Sequence, residues 1–74
     1  MRKLPLLSGR KIVKTFKHLG WKVARQQGSH IILVKERHIA TLSVPDHREV
    51  ARGTLRTLIA RAGITVEEFL SAMK

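Results

Sequence analysis

The sequence predicts an α+β fold, a three-stranded antiparallel sheet with helices on one face, in the order α-β-β-β-α-α. Three observations carry this. Apolar residues recur at helical spacing in Ile12, Val13, Phe16 and Leu19, and again in Leu55, Leu58, Ile59 and Ala62. Between these stretches lie three short runs of strand character, joined by turns too short to hold a crossover helix, which implies an antiparallel meander. A chain of 74 residues supports one small core, so the elements are expected to form a single domain over residues 1–74.

Each element has a local reason. Ser8 can cap a helix beginning at Gly9-Arg10-Lys11, and Gly20 is placed to stop it. Arg10, Lys14 and Lys17 lie off its apolar stripe. Trp21 to Gln27 alternates, with Trp21, Val23 and Arg25 set against Lys22, Ala24 and Gln26, as a strand with one wetter face does. The composition includes one Trp and two Phe, and the core of so small a chain is the expected place for Phe16 and Trp21. Gly28-Ser29 is a turn. His30 to Lys35 is apolar on both faces and is expected to be the central strand. Glu36-Arg37-His38 reads as a tight polar connection. Ile39 to Val44 is the third strand, with Ala40, Leu42 and Val44 on one face, and Pro45 ends it because proline cannot donate to the ladder. Asp46 to Glu49 is a polar loop. Gly53-Thr54 opens the second helix and Gly63 stops it. Thr65 and Glu68 fit a capping box for a short last helix whose stripe is Val66, Phe69, Leu70 and Met73. The layout is that of double-stranded-RNA-binding-like folds, and layout alone does not fix function.

Charge is the strongest global feature. Fifteen Lys and Arg stand against five Asp and Glu, a formal charge of +10, and from Met1 through Lys35 there are cations but no acid. Such a field attracts polyanions, nucleic acid first and an acidic protein second, and it opposes self-association, so a monomer is expected. With no cysteine there is no disulfide framework and no thiolate metal site, which fits a reducing cytoplasm. The opening MRKLPLL has too short an apolar stretch for a leader and is interrupted by Pro5, and no run approaches membrane-span length.

The four histidines, His18, His30, His38 and His47, show no metal-ligand spacing, so no metal and no cofactor are expected. No nucleophile elbow and no phosphate-binding glycine loop occurs. Ser29 and His30 are adjacent, and neighbours along a strand face opposite ways, which argues against a serine–histidine hydrolase. An imidazole in a cationic chain can still do chemistry on RNA. RNA brings its own nucleophile, the 2′-hydroxyl, and its cleavage needs a proton acceptor, a proton donor and cations around the crowded phosphate. His30, at the head of the central strand, is the first candidate and His47 the second. On the residues alone, a structural, hydrogen-bonded role for His30 stands beside the catalytic one. Lys22 and Arg25 on the neighbouring strand are candidate phosphate contacts. So is the second helix's start at Thr54, with its free N–H groups and with Arg52 and Arg56 nearby.

Several ordered elements carry a family resemblance. These are Leu6-Leu7-Ser8-Gly9, Leu19-Gly20-Trp21, Gln27-Gly28-Ser29-His30, Val44-Pro45-Asp46-His47, Gly53-Thr54-Leu55-Arg56, Ala62-Gly63-Ile64-Thr65 and Glu68-Phe69. In this order and spacing, from about Leu6 to Leu70, the chain resembles the HicA-type mRNA interferase toxins of toxin–antitoxin modules. The resemblance implies a double-stranded-RNA-binding-like fold and a metal-independent RNA endonuclease acting on messenger RNA. It implies that His30 is catalytic, that Ser29 belongs to the RNA-facing element, and that a HicB-type antitoxin covers the active surface. Trp21 stands where the family more often has phenylalanine, and the Glu36-Arg37-His38 connection is short. The rival expectation is an RNA-binding module of the same fold that binds without cutting.

Overall fold

A computed structural model describes residues 3–73; Met1 and Arg2, which begin the stretch read above as no leader, and Lys74 lie outside the described residues. The order is α1 (Gly9–His18), β1 (Lys22–Gln27), β2 (His30–Val34), β3 (Leu42–Pro45), α2 (Arg52–Ala62) and α3 (Val66–Ser71). The strands form one antiparallel sheet in the order β1-β2-β3, the expected meander with β2 at its centre.

The local signals act as read. The Ser8 side chain accepts from the Lys11 amide at 3.1 Å, and Thr65 and Glu68 form a reciprocal capping box. Gly63 closes α2 in the left-handed conformation. The helices cover one face of the sheet. Ile12, Val13 and Phe16 from α1, Leu55, Leu58, Ile59 and Ala62 from α2, and Phe69 from α3 pack with Ile31, Leu33, Leu42 and Val44 in one cluster. Phe16 lies at its centre, with ring centroids 6.1 Å from Trp21 and 5.2 Å from Phe69.

Two strands depart from the expectation. β3 begins at Leu42 rather than Ile39, and Ile39 is fully exposed, at 101%. The connection from Lys35 turns through Arg37, whose φ is 64°, and sets the His38 ring 4.9 Å from Trp21. That packing carries the chain away from β2 and postpones the ladder until Leu42 meets Leu33. β1 is exposed along its whole length rather than half-buried, and its pairing with β2 is interrupted by a bulge between Val23 and Arg25. Trp21 is the one residue of the predicted Trp21–Gln27 strand that is buried, and beyond it the edge strand borders an open groove along α1.

Candidate active site

His30 opens β2 and is exposed. The two-residue turn Gly28-Ser29 brings it opposite Gln27, with Gly28 at φ 58°, a conformation that a side-chain-bearing residue adopts only at a cost. On the other flank His30 pairs with Pro45 of β3. Because side chains alternate along a strand, His30, Ile32 and Val34 share the face away from the helices, while Ile31 and Leu33 enter the core. Ile32 is only 9% exposed, yet it stands outside the helix-side cluster, an apolar centre for the open face.

The cross-strand partners complete that face. Lys22 pairs with Val34 and Arg25 with Ile32, so both cations stand on His30's side. Strict alternation would have put Lys22 and Arg25 on opposite faces; the extra residue at the bulge, Ala24, restores them to one. From β3, Ser43 pairs with Ile32, and its hydroxyl lies 3.2 Å from His30 Nδ1. In a neutral imidazole one ring nitrogen donates and the other accepts, so Ser43 can set the ring's orientation and tautomer. His30 Nε2 has no protein partner among the described residues.

The loop beside His30 is fixed from two directions. The Asp46 amide donates to the Ser29 carbonyl at 2.7 Å, and the Gly9 amide donates to the His47 carbonyl at 2.8 Å. The Asp46 carboxylate accepts from Arg10 Nε and Gln26 Nε2, each at 3.4 Å. Arg10 is largely exposed, so its ion pair adds little, and the backbone bonds hold the loop. His47, the second candidate, serves here through its carbonyl, as Ser29 does.

The three residues proposed on α2 divide. Thr54 lines a groove with Thr41 and Ser43 of the β3 edge, together with Thr57, Leu58 and Arg61. Arg52 donates to the Leu4 carbonyl at 2.6 Å and ties the N-terminal segment to the helix. Arg56 follows Thr54 by two positions, roughly 200° around a helix, and lies off the groove. Sequence reasoning missed Ser43 and Arg61. Arg61 was detectable as the i+7 residue of the stripe that Thr54 begins; Ser43 needed the β2–β3 register.

The remaining histidines serve the scaffold. His18, exposed at the end of α1, has its Nδ1 2.8 Å from the Ala72 carbonyl and so joins α1 to the end of α3. His38 packs on Trp21 and its Nδ1 is buried without a partner. Among the described residues no group of His, Cys, Asp and Glu could hold a metal ion, and no helix is long and apolar enough to cross a membrane.

The arrangement is therefore an exposed imidazole, met on one nitrogen by a hydroxyl, on a sheet face that also carries Arg25 and, at the far end of β2, Lys22. A search of curated proteins finds no match. A family model described as the HicA toxin of bacterial toxin-antitoxin systems matches residues 9–64, from the first residue of α1 to just beyond α2. That span contains α1, the three strands, α2 and His30 with its surroundings, and the chain belongs to this HicA toxin family.

Proposed function

We propose that this toxin is a metal-independent RNA endonuclease, an mRNA interferase, with His30 as its acid–base group. The observation that carries the reading is the exposed His30 ring, bonded through Nδ1 to Ser43 and sharing its face with Lys22 and Arg25. As the substrate's 2′-oxygen bonds to the neighbouring phosphorus, its proton leaves and the P–O5′ bond breaks. The departing 5′-oxygen takes up a proton, and a 2′,3′-cyclic phosphate remains. His30 Nε2 is the protein's group for these transfers, and Lys22 and Arg25 offset the charge that gathers on phosphorus. The nucleophile belongs to RNA, so cleavage of a long transcript should persist in excess chelator; intact RNA of retarded mobility would instead indicate the non-catalytic binding module.

Ser43 is a positioning residue in this scheme. Ser43→Ala is expected to lower kcat roughly 2- to 10-fold, the worth of one net hydrogen bond, while KM stays nearly constant. An unchanged kcat and an unchanged pH–rate profile would remove Ser43 from the mechanism.

Lys22 and Arg25 are assigned to phosphates. In a His30→Ala background, which separates binding from turnover, Lys22→Ala with Arg25→Ala should flatten the dependence of log affinity on log salt by roughly 1.4 for single-stranded RNA, about 0.7 per contact. Parallel salt dependences with and without the two cations would show that they touch no phosphate.

The inhibitor we infer is a HicB-type antitoxin that covers the His30 face. We place the pair in the cytoplasm, with residues 1–74 as a single monomeric domain. Arrest of growth on induction, relieved by co-expression of the adjacent reading frame, is the expected behaviour.

A further inference from the structure

We propose that the groove between the β3 edge and α2 is a nucleotide subsite, holding the base and ribose next to the phosphate cleaved at His30, with Arg61 on that nucleotide's own phosphate. This rests on the nuclease reading above. The groove encloses about 380 Å³, within the size range of sites that take one small ligand. Its walls suit a nucleotide in three ways. Leu58 supplies an apolar surface for a base or ribose. The Thr41 and Thr54 hydroxyls, which make no hydrogen bond to protein among the described residues, can donate to and accept from base edges or a 2′-hydroxyl. Arg61, at the far end of the Thr54 stripe, forms no hydrogen bond or ion pair among the described residues, which leaves its guanidinium free for a bidentate phosphate contact.

Continuity with the reacting centre decides in favour of RNA over an unrelated ligand. Ser43 lines the groove and also holds His30 Nδ1, so groove and imidazole share a wall. His30 stands on β2 and Ser43 on the neighbouring β3, strands roughly 4.8 Å apart, so adjacent positions on one RNA strand can reach both. The basic groove along α1, with Lys14, Lys17 and Val23, is on the helix side of the sheet and has no such continuity with His30.

The test uses the full chain in two forms. In the His30→Ala protein, affinity for a single-stranded 12-nucleotide RNA should fall roughly tenfold or more with Arg61→Ala, as expected for a lost charge-assisted contact, and Arg61→Lys should restore part of it. Thr54→Val should weaken binding about three- to tenfold. In the otherwise unaltered protein the same changes should raise KM more than they lower kcat, and shift the distribution of cut sites on a long transcript. Circular dichroism should show both variants folded, since Arg61 and Thr54 are exposed. Wild-type cleavage combined with unchanged affinity, KM and cut sites in folded Arg61→Ala and Thr54→Val proteins would overturn the subsite alone. Absence of cleavage by the wild type would overturn the nuclease reading itself.

Discussion

A His30→Ala protein is expected to leave RNA intact and to lose the power to arrest growth, while its fold and its binding of antitoxin persist. The catalytic loss should be large. Acid–base catalysis by a positioned side chain contributes about 10²- to 10⁴-fold, and His30 is the one histidine on a strand of the sheet: His18 is bonded to the Ala72 carbonyl, His38 is packed on Trp21, and His47 lies in the loop past Pro45. The structural loss should be small. His30 is exposed and outside the core cluster, and exposed substitutions usually stay within about 0.5 kcal/mol. Matched thermal unfolding curves, with cleavage followed on a long transcript, separate the two effects. A folded His30→Ala protein that cuts at the wild-type rate would end the assignment.

The second large effect is on stability, and helix propensity gives it the wrong sign. Gly9 is the first residue of α1, where alanine, as the better helix former, would be expected to add about 0.4–1 kcal/mol. Tertiary contact reverses this. A Cβ on Gly9 would stand 1.9 Å from the Pro45 carbonyl oxygen, 2.9 Å from its carbon and 3.1 Å from Asp46 Cα. All three are backbone atoms, so no rotamer change clears the clash, and the helix or the loop must withdraw. Withdrawal also endangers the 2.8 Å bond from the Gly9 amide to the His47 carbonyl. Gly9→Ala is therefore expected to destabilise the protein by about 3 kcal/mol, the upper part of the overpacking range. At about 4–8 °C per kcal/mol in a domain of this size, the melting temperature should drop by more than 10 °C. A Gly9→Ala protein melting within about 2 °C of wild type would refute the close approach. The same contact gives Ser8-Gly9 and Pro45-Asp46-His47 a shared purpose. They are far apart in sequence and meet beside the strand head that presents His30.

How much of this was legible follows from the range of each physical signal. The helix caps at Ser8 and Thr65, the stop at Gly63 and the apolar stripes of α1, α2 and α3 were readable because each depends on residues within one or two turns. The central place of β2 was readable because both of its faces are apolar. The third strand was read too long because Ile39 and Ala40 have strand composition, whereas the Trp21–His38 contact that diverts them joins residues seventeen positions apart in sequence. Arg52 and Arg56 were grouped with Thr54 by proximity in sequence. On a helix that proximity spreads them around the axis, and Arg52 is engaged by Leu4, 48 positions away in sequence.

Taken alone, the sequence determined the order and type of the elements, the cationic character, and a histidine at the head of the central strand, because periodicity, capping and turn chemistry are local. Only the tertiary structure decided which groups stand with that histidine. The bulge at Ala24 puts Lys22 and Arg25 on one face, the β2–β3 register brings Ser43 to Nδ1, and α2 along the β3 edge adds Thr54 and Arg61. Cross-strand register and bulges are fixed by hydrogen bonds between separate segments. One residue of slip exchanges the faces of a strand, so the composition of the site was settled when the sheet paired.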